Sequence, residues 1–172
     1  MNKETGLAKS LDKSLKGAAG VHFVVAQLSL RGFVALPTTR NLKSFDVVAF
    51  QHDLSKVAFI QVKSTDRPKG GWPVYTIPAD EDWQDHLKKA VSLGDNFFFI
   101  FVELPTTDKG EPSFYIVPSR EVADILIQDT TGRLDKHKES KPAKQLLAWG
   151  YGGLKPEIRE KYQDKWELLI HV

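Results

Sequence analysis

The spacing of apolar residues changes period several times along this chain, and each change marks an element. From about Gly6 to Arg31, the residues Leu7, Leu11, Leu15, Ala18, Val25 and Leu28 recur near helical spacing. Gly17-Ala18-Ala19-Gly20 interrupts that helix. A glycine in an exposed helix costs about 1 kcal/mol against alanine, so the pair predicts close approach to a sheet. Gly32 is a suitable stop residue. Phe33 to Leu36 reads as a short strand ended by Pro37, and Asn41 to Ser44 as a turn. Ser44–Gln51 and Lys56–Ser64 read as two strands joined by the hairpin-length His52-Asp53-Leu54-Ser55. After a loop with Pro68, Gly70 and Gly71, Trp72–Ile77 reads as another strand, with Pro73 favouring an edge or a strand start because it cannot donate to a ladder.

Pro78-Ala79-Asp80 opens a helix that runs to about Leu93, with Asp80, Glu81 and Asp82 at its positive end. Asn96–Leu104, centred on Phe97-Phe98-Phe99-Ile100-Phe101-Val102, reads as the clearest buried strand. Ser113–Val117 is a further strand, and Pro118-Ser119 leads into a helix from about Arg120 to Gln128. Thr130–Lys144 is polar and lysine-rich and reads as a mobile segment. Pro156–Tyr162 reads as a short helix, and Trp166–Ile170 as a last docking strand. No repeat or linker divides the chain. The order predicts one α/β domain over 1–172, a mixed β-sheet flanked by helices, with 130–172 a polar C-terminal extension.

Composition changes this picture modestly. The chain has 172 residues, 41% hydrophobic and 27% charged, as a compact domain with a real core requires. Absence of cysteine excludes disulfides and thiolate zinc sites and fits a reducing interior. Met1–Lys16 is polar with no apolar stretch, so a secretory signal is not expected and a cytoplasmic location is. No apolar run approaches membrane-spanning length. The formal charge of +2 is unevenly spread, with basic ends flanking an acidic middle. Such ends suit a phosphate-facing surface, or simply solvate exposed helices.

The candidate chemistry lies in Phe45-Asp46-Val47-Val48-Ala49-Phe50 and Val57-Ala58-Phe59-Ile60-Gln61-Val62-Lys63. Gln61 and Lys63 are two apart and share one face of a strand. Phosphodiester hydrolysis needs a divalent cation, an activated water and neutralisation of developing charge. Asp46 is placed to supply a carboxylate, the Val62 carbonyl a second oxygen, Lys63 a cation beside the water, and Gln61 a neutral partner for that water. The same three side chains would also suit a turn residue and the solvated face of a strand.

The array resembles the PD-(D/E)XK nuclease superfamily, in the branch with Gln for the acid of the third motif. The resemblance covers about Gly17 to Ser64. It rests on Gly17-Ala18-Ala19-Gly20, Val24-Val25-Ala26-Gln27-Leu28 leading to Arg31-Gly32-Phe33, then Phe45-Asp46, then Ile60-Gln61-Val62-Lys63-Ser64-Thr65. It implies a restriction-endonuclease-like αβββαβ core with C-terminal additions. It also implies Mg²⁺ (or Mn²⁺) as cofactor, bound by Asp46 and Val62, with Asp46, Gln61 and Lys63 catalytic and DNA as partner. Proteins of this fold often pair as homodimers. Ser64, Arg67 and Lys69 would lie where a phosphate backbone passes. Similar sequences carry a glutamate directly after the Gly-x-x-Gly, but here the slot holds Val21, followed by His22. With Gln61 also neutral, Asp46 is the one carboxylate left of the motif. His22 reads either as a contact to metal or phosphate or as a partly buried histidine bonded to a carbonyl. Glu103 and Asp66 are candidate migrated acids.

Three functions fit these residues: an active divalent-metal-dependent DNA endonuclease, a catalytically degenerate relative that binds nucleic acid or protein, and an interaction subunit with no nucleic-acid role.

Overall fold

A computed structural model describes residues 12–39, 45–51, 53, 56–66, 72–74, 82–107, 109–136, 151–152 and 154–170. Helix α1 (Lys13–Leu30) is followed by strands β1 (Val34–Pro37), β2 (Val47–Phe50), β3 (Val57–Thr65) and β4 (Trp72–Pro73). Helix α2 (Trp83–Val91), strands β5 (Phe97–Glu103) and β6 (Ser113–Pro118) and helix α3 (Ser119–Lys136) come next. Strand β7 (Tyr151–Gly152), helix α4 (Pro156–Tyr162) and a 3₁₀ turn (Trp166–Leu169) complete the described elements. The main sheet runs β1-β2-β3-β5-β6, and β4 pairs separately with β7. β1, β2 and β3 form an antiparallel meander, β5 lies parallel to β3, and β6 is antiparallel to β5. This is the mixed α/β sheet predicted, in the order helix, three strands, helix, strand.

Period-two alternation divides the core. Phe98, Ile100 and Val102 of β5 join Val24 and Leu28 of α1, Ile60 and Val62 of β3, and Trp166 on one face. Phe97, Phe99 and Phe101 face the other way, with Trp83 and Leu87 of α2 and Val122 and Leu126 of α3. A strand covered on both faces can be continuously apolar, which explains the phenylalanine run.

Helix α1 is described from Lys13, with Asp12 as its cap, and the expected start at Gly6 lies outside the described residues. The Asp12 carboxylate accepts from the Ser14 N–H at 2.7 Å, which satisfies an otherwise orphaned donor. Residues before Asp12 lie outside the described set. Gly32, at φ +84°, ends the helix as expected. The region of β4 beyond Val74 and the start of the helix expected at Pro78 also lie outside it; α2 itself starts at Trp83.

Two expectations are corrected. The polar stretch from Thr130 is not a mobile segment as far as Lys136, because α3 continues through it. Thr130 is fully buried, Leu134 packs on the core, and Asp129 pairs with Arg133 one turn on at 3.2 Å. Residues 137–144 lie outside the described set. The last element is a 3₁₀ turn rather than a strand. Its three-residue repeat turns both Trp166 and Leu169 into the core and leaves Ile170 38% exposed. Strand alternation would have set Trp166 and Ile170 on one face.

Arg159 fastens α4 to the sheet. Its Nε donates to the Leu154 carbonyl at 3.0 Å, and its guanidinium pairs with Glu103 and donates to the Tyr115 hydroxyl at 3.4 Å. The guanidinium also lies 5.4 Å from the ring centres of Trp72 and Tyr115. Burial, reinforced by the Glu103 charge, raises the Tyr115 pKa and keeps the phenol protonated. Arg159→Ala should cost about 2 kcal/mol, the scale of hydrogen bonds to a charged group. A lowered urea midpoint reads this out. Arg159→Lys should recover less than half, lacking the planar fork.

Candidate functional site

The candidate site forms where β2 leaves β3. The ladder between them ends at Val47 opposite Ile60. The Asp46 N–H then donates to the Ile60 carbonyl at 2.8 Å, so the backbone steps out of register there. The Asp46 side chain replaces the missing strand: its Oδ2 accepts from the Val62 N–H at 2.8 Å. Thr38 holds the other side. Its N–H donates to the Asp46 carbonyl at 2.8 Å and its hydroxyl to the Phe45 carbonyl at 2.9 Å.

Backbone direction alternates along a strand. Phe59 and Thr65 turn their backbone groups toward the β5 side, bonding Asn96 and Leu104. Ile60 turns toward β2, so Val62, two residues on, does too. The Val62 carbonyl therefore emerges on the edge where Asp46 sits, beyond the end of the β2 ladder.

A cavity of about 490 Å³ opens between this edge and α1, bordered by Gly17, Val21, His22, Thr38, Asp46 and Val62, among others. The position of α1 is set by Gly20. A Cβ there would come within 1.7 Å of Ser64 Oγ and 2.9 Å of Ser64 Cβ, so only glycine lets the helix lie this close. Gly17 meets no neighbour within 4 Å and borders open space. Close approach therefore explains one glycine of the pair.

The cavity brings Asp46, Val62 and His22 together. His22 is exposed, not partly buried. Gln61 and Lys63 do not border it among the described residues. Alternation turns them to the opposite sheet face from Val62 and Ser64, which pack toward α1. Lys63 nevertheless senses Asp46. Burial pushes the Lys63 pKa down, and the Asp46 carboxylate pulls it partly back. The carboxylate lies in the sheet edge and so mediates between the two faces.

Ser64 does not present a phosphate contact. Its Oγ is buried beneath Gly20 with no hydrogen-bond partner among the described residues, because helix packing claims that side of β3. Arg67 and Lys69 lie outside the described residues. Both migrated-acid candidates are engaged elsewhere: Asp66 pairs with Lys16 of α1 at 2.7 Å, and Glu103 with Arg159. Thr38 was missed in the sequence. Its role depends on Pro37 pairing with Val47, a register that the unpatterned turn between them does not reveal.

The donor set fits a divalent cation weakly. Asp46 Oδ1 remains once Oδ2 has bonded Val62, and the Val62 carbonyl adds a neutral oxygen. Mg²⁺ takes one or two carboxylates and completes its shell with water and substrate phosphate. Among the described residues, no group of three or more His, Asp or Glu side chains is placed to hold a metal. No helix among them is long and apolar enough to cross a membrane.

No family model matches the chain, and no curated protein does. Among solved structures it is similar to Hjc, a Holliday junction resolvase from the archaeal hyperthermophile Archaeoglobus fulgidus, at 16% identity over 61% of this chain and 74% of that chain, with a TM-score of 0.37.

Proposed function

We propose that the protein is a divalent-metal-dependent DNA endonuclease whose cation, Mg²⁺ or Mn²⁺, is held firmly only with a substrate phosphate present. The observation that carries this reading is the Asp46 carboxylate, locked by the Val62 N–H at the mouth of a cavity and coupled to a desolvated lysine. A bound cation would polarise the phosphoryl oxygen and lower the pKa of a coordinated water. Asp46 Oδ1 and the Val62 carbonyl are the groups that would hold it. Lys63 supplies positive charge from the far face against the charge developing on phosphorus. Gln61, beside it on that far face, adds no charge. His22 borders the same cavity.

A duplex incubated with Mg²⁺ or Mn²⁺ should be cut, and Asp46→Ala and Lys63→Ala should each abolish cutting. Undiminished cleavage by Asp46→Ala would refute the assignment. Val21 already borders the cavity. Val21→Glu should therefore tighten Mg²⁺ binding in a calorimetric titration, and no gain would count against this geometry.

A second reading follows from the engagement of Asp66 and Glu103 in ion pairs, which leaves Asp46 as the sole acid bordering the cavity among the described residues. The protein then acts as a degenerate relative that grips DNA without turnover. It predicts metal-independent binding that weakens steeply with salt, and no cleavage under any divalent ion.

A further inference from the structure

A helix resting on a sheet is ordinarily polar on its far side, and α1 is not. Among the described residues it lies mainly against β1, β2 and β3, where it buries Gly20, Val24 and Leu28. From Gly17 to Leu30 it carries no Lys, Arg, Asp or Glu. On the side turned away from the sheet, Leu15, Phe23 and Leu30 are 57%, 37% and 80% exposed, and Ala26 is exposed with them. Single exposed leucines are ordinary, but these lie together on one helix face without charge, and a contiguous apolar patch marks a contact surface.

We propose that this stripe is the surface on which a second copy of the chain docks, the two α1 helices antiparallel about a two-fold axis between His22 and Phe23. The order of side-chain sizes selects the occupant. Leu15, the half-buried Ala19, His22 with Phe23, Ala26 and Leu30 follow at steps of three or four, so they line one side of the helix. Read from either end the stripe is the same: leucine, alanine, an aromatic ring, alanine, leucine. A two-fold contact needs such a self-complementary patch, because each helix meets the reversed order on its partner. Leu15 then meets the partner's Leu30, Ala19 meets the partner's Ala26, and the rings cross at the axis. The alanines let the backbones close, and the leucines seal both ends.

The stripe is about 22 Å long at the ordinary helical rise. One helix pair of that length falls short of the roughly 1,200 Å² of total buried surface at which standard interfaces begin. The dimer is therefore reversible and concentration-dependent. The flank of α1 that borders the cavity through Gly17 and Val21 lies off the stripe, so docking leaves it open. The pairing does not depend on the chemistry proposed at Asp46.

Sedimentation velocity of the full chain across a wide concentration series should show a monomer–dimer equilibrium. Leu15→Glu and Leu30→Lys test the pairing. An acid in the first turn and a cation in the last both suit the helix dipole, and both leucines are exposed, so circular dichroism should not change. Each variant alone should weaken the dimer by about a hundredfold or more, because symmetry sets an unpaired charge at both ends. Mixed in equal amounts, the two should associate again to within about tenfold of wild type. One end of the mixed dimer then pairs opposite charges and the other keeps its two leucines. A parallel pair, or an interface elsewhere, gains nothing from mixing. A chain monomeric at every concentration, a dimer indifferent to the single changes, or a mixture that stays monomeric would each overturn the proposal. Co-sedimentation of a monomer with phosphatidylcholine vesicles would overturn it in favour of a lipid surface.

Discussion

Asp46→Asn is expected to silence divalent-ion-dependent cleavage by about a thousandfold or more while leaving the fold nearly as stable. That scale is the one found when a preorganised charge-stabilising group is removed. The structural reason is that Asp46 does two separable things. Its Oδ2 accepts from the Val62 N–H, closing the gap where β2 leaves β3. Its charge faces the cavity and the half-buried amine of Lys63. An asparagine carbonyl can still accept from Val62 but brings no charge. Asp46→Ala removes both and should cost about 1–3 kcal/mol, the range for leaving a donor unsatisfied. Urea denaturation of both variants, beside a plasmid cleavage assay, distinguishes the roles. Equal destabilisation by Asn and Ala would show that the charge, not the hydrogen bond, carries the stability.

A pH series adds a check with a definite sign. Burial already depresses the Lys63 pKa from its ordinary 10.5, and Asp46 is what opposes the drop. Without the carboxylate the amine falls further, so the folded variant binds its proton less well than the wild type does. The unfolded chain then holds more protons than the folded one over a wider range, and stability rises with pH across it. The small stability gap between wild type and Asp46→Asn should therefore be fullest below the variant's folded Lys63 pKa. It should narrow in alkali as pH climbs through the two folded Lys63 values toward 10.5, where a neutral amine needs no counter-charge.

Gly20→Ala is the largest packing change on offer. The new methyl would fall 1.7 Å from Ser64 Oγ and 2.9 Å from its Cβ, so α1 must lift from β3. Alanine's better helix propensity returns about 1 kcal/mol, but overpacking of this kind costs about 1–3 kcal/mol or more, and the backbone-linked Cβ of Ser64 has no way to swing aside. The net expectation is a loss of about 1–2 kcal/mol, or roughly 2–8 °C in melting temperature for a chain of this size. Because α1 also walls the cavity at Asp46, cleavage that depends on that cavity should fall too. Ser64→Gly in the Gly20→Ala background removes both clashing atoms and should restore melting temperature and cleavage together. A rescue of neither would mean that the contact does not set the helix position.

Legibility divided along a physical line. The apolar run Phe97–Val102, the hairpin around Val47–Phe50 and Val57–Thr65, and the glycine stop at Gly32 were all readable, because each depends on its own residues and nearest neighbours. Gly20 was readable as a close approach, though not what it approaches. The polar stretch after Thr130 misled, since its helix is held by a buried threonine and by Leu134 against a distant core. The 3₁₀ turn at Trp166 misled for the same reason: its apolar residues suit either repeat, and only the floor of Val24, Phe114 and Ile116 beneath them chooses.

The site shows the division most clearly. Local pattern alone determined that Gln61 and Lys63 share one face of a strand and that an acid lies close to the strand before it. Tertiary structure alone decided that the break in pairing at Asp46 opens an edge, and that α1 roofs it. It also decided that Ser64 is spent on packing, that Asp66 and Glu103 are spent on cations, and that His22 looks into the cavity. The first set follows from alternation along a strand, which any short segment carries. The second depends on the depth at which one helix rests on one strand, and that depth is set by a single missing side chain.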